Sequence, residues 1–197
     1  MGTLSKASRR AAGKRRFLGL FGAWAPLALA FVLPLSGARA GEDCRSLDIH
    51  LDAAAGFTDI TCDSLADSHA DISDTREMIF AHDSRSVFVI RHLAAGNRTY
   101  LKLMAPKDLI ESAFAKAEGW AAGPGGNGYA AVRFTGWRKV SPDLQLSCFG
   151  FARFTGHVDH SMGYRNAIYG YYCAKQPDAV SEAEAHRLLG AVTFSFE

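Results

Sequence analysis

The chain has 197 residues, with 22 lysines and arginines against 20 aspartates and glutamates, and 48% of its residues are hydrophobic. That is enough apolar material for a packed core, and the charges are too balanced for a disordered chain. The formal net charge of +2 comes from the first forty residues, so it carries no argument for a nucleic-acid partner.

Residues 1–40 read as a targeting segment. MGTLSKASRRAAGKRR holds Lys6, Arg9, Arg10, Lys14, Arg15 and Arg16 and no acid, an uncharged run follows from Phe17 to Leu35, and SGARA closes the segment. Basic, then apolar, then small with Ala38 and Ala40 in the A-x-A arrangement is the order of a secretory signal, and cleavage is predicted after Ala40. The apolar run is long enough to span a bilayer. Pro26 and Pro34 interrupt it, however, and the A-x-A exit fits cleavage better than a retained anchor. Arg15 and Arg16 directly precede Phe17 and Leu18, without the spacer of a twin-arginine signal, so the general secretory route is expected. Cys44 lies four residues past Ala40, which does not suit lipid anchoring. The predicted location is periplasmic or secreted, with no stable membrane anchor after cleavage.

Residues 41–197 are predicted to form one domain. They carry 15 basic and 20 acidic residues, a net of −5. An acidic arm, 41–84, holds eleven acids against Arg45 and Arg76. It is expected to pack on a sheet-and-helix core, 85–197, in which bases outnumber acids.

The arm opens with CRSLDIHLD, where Leu47, Ile49 and Leu51 alternate with polar residues as in a half-buried strand. GFTDITC can return antiparallel and bring Cys62 back to Cys44, closing an N-terminal hairpin with a disulfide. Asp59, Asp63, Asp67 and Asp71 then recur every four residues, with His69 and Asp74 nearby. On a helix that spacing would stack carboxylates and favour a calcium ion between them. The EF-hand pattern is absent, and a solvated loop after Cys62 is the expected state.

In the core, SRSVFVIRHLA and RTYLKLMA read as a hairpin joined at Gly96 and Asn97. PKDLIESAFAKAEGW reads as a helix: Pro106 suits its first turn, Asp108 suits the dipole, and Leu109, Ile110, Ala113, Phe114 and Ala117 make an apolar side. AAGPGGNGY is a loop; no Lys-Ser/Thr pair follows its glycines, so it is not a phosphate cradle. YAAVRFTGWRKV is the next strand. QLSCFGFARFTGH and GYRNAIYGYYCAK form a long hairpin, and pairing Cys148 with Cys173 sets its register: Phe149 faces Tyr172, Gly150 faces Tyr171, Phe151 faces Gly170 and His157 faces Tyr164. SEAEAHRLLGAV is a helix with a capping box, Ser181 and Glu184, and an apolar side of Ala185, Leu188, Leu189 and Val192. The order ββαβββα implies an α+β fold, an antiparallel sheet with two helices, preceded by the disulfide-closed hairpin.

Two stretches bear on function. The tip GHVDHSMG places His157, Asp159 and His160 together, with Met162 beyond, a set that would suit zinc or copper. Asp, Ser and Gly also make a good turn, and the expected state is an exposed tip with no metal and no cofactor. The aromatic residues Phe149, Phe151, Phe154, Tyr164, Tyr169, Tyr171 and Tyr172 crowd one hairpin and make both its faces apolar. One face is expected to take the helices and the other the arm or a partner. Cysteines held in disulfides are not thiolate nucleophiles or zinc ligands, and no C-x-x-C, G-x-S-x-G or H-E-x-x-H motif is present. The expectation is an envelope protein that binds a protein or small ligand, or inhibits, without catalysis and without nucleic acid. The alternatives are a periplasmic metal-binding protein using the hairpin tip, and a hydrolase working through a carboxylate pair.

Overall fold

A computed structural model describes residues 43–66, 75–96, 99–159, 163–175 and 180–196. The predicted signal and its cleavage point after Ala40 lie outside the described residues. The fold is α+β. Seven strands form one antiparallel sheet: β2 (Asp59–Ala66), β3 (Thr75–His82), β4 (Ser86–Ala94), β5 (Phe114–Ala122), β6 (Ala130–Arg138), β7 (Ser141–Asp159) and β8 (Gly163–Lys175), in the order β2-β3-β4-β8-β7-β6-β5. Two short strands, β1 (Ile49–Leu51) and β9 (Val192–Phe194), pair apart from it, and the helices are α1 (Pro106–Ile110) and α2 (Glu182–Gly190). No described helix is long and apolar enough to cross a membrane.

The β7–β8 hairpin has the predicted register, from Cys148 opposite Cys173 to His157 opposite Tyr164. Both predicted disulfides, Cys44–Cys62 and Cys148–Cys173, are formed. α2 begins as expected, with Ser181 Oγ accepting from the Glu184 N–H at 3.1 Å, and it buries Ala185, Leu188 and Leu189.

Four elements differ from expectation. First, the Leu47–Leu51 stretch does not fold back on GFTDITC: β1 pairs with β9, while Asp59–Ala66 pairs with β3. The Cys44–Cys62 disulfide therefore fastens the arm to the sheet edge instead of closing a two-strand ladder. Second, Thr99–Ala105 is not a strand; Leu101 makes a single bridge to Tyr164, and β4 pairs with β3 and β8. Third, TREMIFAH is a strand, β3, that lies inside the predicted arm.

The fourth difference is the predicted helix over 106–120. It ends at Ile110, and after one 3-10 turn, Glu111–Ala113, the chain becomes β5. The three-residue spacing of Phe114, Ala117 and Trp120 imitates a helix. On β5 two register shifts, at Phe114/Lys116 and Glu118/Ala121, each add one residue and bring all three side chains to the same packed face. Gly119, at φ +67°, sits in the second shift and supplies a conformation that a side chain would resist.

The sheet buries both faces. On one, Ile79, Phe88, Ile90, Phe149, Phe151 and Tyr172 pack against Leu47 and Ile49 of the arm and Leu188 and Leu189 of α2. On the other, Val87, Val89, Cys148 and Tyr169 pack against Ile110, Phe114 and Phe134. The arm and α2 thus share a face, contrary to the expected division, and α1 packs on the reverse beside Phe114 of β5 and Phe134 of β6. Arg187 of α2 ties the shared layer together by donating to the carbonyls of Ala54 and Ala55 at 3.2 Å.

Candidate functional site

Of the candidate ligands at the hairpin tip, His157 is the one whose side chain is among those described. His157 lies edge-on to Tyr164, ring centroids 4.8 Å apart. Asp159 pairs with Gly163 in the ladder, while His160 and Met162 lie outside the described residues. The acidic series is not helical: Asp59 and Asp63 are on β2, where a separation of four puts them on one face of a strand. Asp59 comes within 4.0 Å of His82. Asp67, His69, Asp71 and Asp74 lie outside the described residues.

A polar cluster that was not expected sits under the arm. Glu77 and His92 are directly opposite on β3 and β4, and both are buried. His92 Nδ1 donates to Glu77 Oε2 at 2.9 Å, and Nε2 is 3.2 Å from Asn166 Oδ1. Glu77 also accepts from the backbone N–H groups of Asp48 (2.9 Å) and Ile49 (3.3 Å) in the arm. Phe196 stacks on the imidazole at 4.5 Å. With Asp48 the pair could suggest a metal site, since their ligand atoms lie within 4.8 Å of one another. Both Glu77 oxygens and both His92 nitrogens are already engaged, however, and Asp48 Oδ1 accepts from Ser195 Oγ at 3.1 Å. The cluster is a satisfied buried network that fastens the arm to the sheet. The signal for it was parity: Glu77 alternates in phase with Ile79 and Ala81, and His92 with Phe88 and Ile90.

The candidate site lies at one end of the sheet, where the β3–β4 turn, the start of β7 and the end of β8 meet the last residue of β6. It is a depression of ≈ 360 Å³. Phe80, Val87, Leu144 and Leu146 supply an apolar lining, and His82, Arg85, Arg138 and Lys175 supply the basic groups. Among the described residues Asp83 is the lone carboxylate of the lining, and the turn consumes it. Its Oδ1 accepts from the N–H groups of Arg85 (2.7 Å) and Ser86 (2.6 Å), and its Oδ2 from Ser86 Oγ (2.9 Å). Partial burial pushes the Asp83 carboxyl up, but these hydrogen bonds and the nearby His82 outweigh it and hold its pKa below the ordinary value. Lys175 Nζ donates to the Ser84 carbonyl at 2.8 Å and pins β8 to the turn.

A smaller hollow of ≈ 140 Å³ adjoins it, sharing Val87, Arg138, Leu146 and Cys173 and adding Lys139 and Tyr171. Burial pushes the Tyr171 phenol up, with Arg91 and Arg138 pulling the other way. Tyr171 therefore stays a protonated hydrogen-bond donor at neutral pH. A hollow of ≈ 380 Å³ under the arm has mainly apolar walls, with Arg45 and His50 its basic groups among the described residues.

No protein-family model, curated protein or solved structure matches this chain.

The chemistry available at the sheet end is therefore read from its residues alone. The Ser86 hydroxyl of the turn donates its proton to Asp83. What the depression presents is fixed positive charge around an apolar floor.

Proposed function

We propose that this is an exported protein of the cell envelope that acts by binding, without chemical change of what it binds. Residues 1–40 act as a secretory signal, removed after Ala40, and the product works in the periplasm or is secreted. The disulfides Cys44–Cys62 and Cys148–Cys173 support this location, because such bonds persist in oxidising compartments. The observation that carries the binding role is the depression between the β3–β4 turn and the end of β8, with basic groups around Val87, Leu144 and Leu146. Nucleic acid is not the partner proposed, since residues 41–197 carry net negative charge.

The test has two parts. N-terminal sequencing of protein from cell fractions should find Gly41 first, outside the cytoplasm; an intact Met1 end in the membrane fraction would overturn the export proposal. Thermal melts of the purified protein with a panel of small organic compounds should show at least one that raises Tm and is recovered unchanged. Recovery of a transformed compound would replace binding with catalysis.

A further inference from the structure

We propose that the depression at the sheet end takes a small organic anion with an apolar body, its acidic group meeting Arg138 and its body lying on Phe80, Val87 and Leu144. This rests on the binding role argued above and names the class of ligand.

The charge argument comes first. Among the described residues of the lining, Asp83 is the carboxylate beside Arg138 and Lys175, and it has both oxygens committed to its own turn; Arg85 is engaged elsewhere. Lys175 is partly spent on the Ser84 carbonyl. The Arg138 guanidinium makes no hydrogen bond or ion pair among the described residues, and Arg138 lines both the main depression and the adjoining hollow. A planar guanidinium without an acid partner, at the junction of two hollows, is suited to a carboxylate, sulfonate or phosphate.

The floor argues that the ligand is not a bare inorganic anion. Val87 and Leu146 are core residues that surface here, and Phe80 and Leu144 are partly buried beside them. Covering such a floor favours a ligand with apolar atoms next to its charge. Size argues against a macromolecule: about 360 Å³ with an adjoining 140 Å³ is small-molecule scale. The walls are also held in place before any ligand arrives. The Cys148–Cys173 disulfide joins β7 to β8 beneath them, and Lys175 N–H donates to the Arg85 carbonyl at 3.0 Å. Tyr171, in the adjoining hollow, offers a hydroxyl as a second donor to the anion.

The experiment uses two fluorescent probes with the same apolar body. 8-Anilinonaphthalene-1-sulfonate carries an anion; N-phenyl-1-naphthylamine does not. Both are titrated into the folded protein, into Arg138→Gln, and into Arg133→Gln as a control for an exposed arginine of the same strand. The sulfonate should bind with a Kd that rises about tenfold or more in Arg138→Gln, as expected for a charge-assisted hydrogen bond. It should be unchanged in Arg133→Gln, and the neutral probe should bind more weakly and ignore both substitutions. The Val87 and Leu144 methyl resonances should shift on titration, and those of Leu188 and Leu189 should not. If both probes bind equally and Arg138→Gln has no effect, the anion is wrong while the binding site stands. If neither probe binds, the site itself is wrong. Equal weakening by Arg133→Gln would reduce the effect to general surface charge and overturn the assignment of Arg138.

Discussion

Glu77 and His92 face each other across β3 and β4, 2.9 Å apart and sealed from water, and the same carboxylate receives two backbone N–H groups of the arm. Removing one partner of such a pair leaves buried donors without an acceptor. Glu77→Ala should therefore cost about 3–5 kcal/mol. Glu77→Gln retains one acceptor oxygen and should cost about 1–3 kcal/mol. Urea denaturation measures both. Amide exchange at Asp48 and Ile49 should quicken more in Glu77→Gln than exchange in β7; uniform quickening would show that the pair does not hold the arm.

Two glycines of the central hairpin should respond differently to alanine. A methyl on Gly170 would meet the Val89 backbone carbonyl, which cannot move without disturbing the β4–β8 ladder. A methyl on Gly150 would meet the end of the Ile110 side chain, which can change rotamer. Gly170→Ala should cost about 3 kcal/mol or more, and Gly150→Ala about 1–2 kcal/mol. The reverse order in denaturant midpoints would mean that α1 is the stiffer neighbour.

The Asp83 turn predicts a pH dependence. Because the folded pKa of Asp83 is lowered, its contribution is complete above the unfolded value, and it is lost as pH falls through the folded one. Asp83→Asn should be less stable than the unmodified protein at neutral pH by about 1 kcal/mol, a modest figure because the turn is open to water. The difference should close in acid, as pH falls below the ordinary aspartate range and through the lowered folded pKa. Urea midpoints measured across that range decide it; a gap that persists in acid would assign the loss to geometry and not to charge.

The hairpin tip should bind no structural metal. Added zinc or copper should leave Tm unchanged in the unmodified protein. His157→Ala should lose about 0.5–1 kcal/mol, the worth of its edge contact with Tyr164. A metal-dependent rise in Tm that disappears in His157→Ala would restore the ligand set of His157, Asp159 and His160.

The central hairpin was legible because its information is local. Two cysteines that must lie opposite, a short connection and alternating aromatic residues leave one register, and that register is present. The helix α2 was legible for the same reason: its cap and apolar side lie within one segment. The helix predicted through Trp120 failed because a spacing of three has two physical origins, a helical turn and a strand with bulges, and periodicity does not separate them. Of the candidate site, Arg138, Leu144 and Lys175 were on the page as ordinary strand and turn residues, with nothing in their spacing to mark them.

By itself the sequence determined what neighbours along the chain can decide: the basic, apolar and small-residue order of the first forty residues, both cysteine pairings, the cap and apolar side of α2, and the register of β7 on β8. Only the tertiary structure decided that β1 pairs with β9, that the arm and α2 share one face, and that the turn at Asp83, the end of β6 at Arg138 and the end of β8 at Lys175 enclose one depression. Those contacts join residues separated by tens of positions. Each is chosen by which apolar face remains to be covered once the central strands have paired, a competition across the whole chain that no local pattern records.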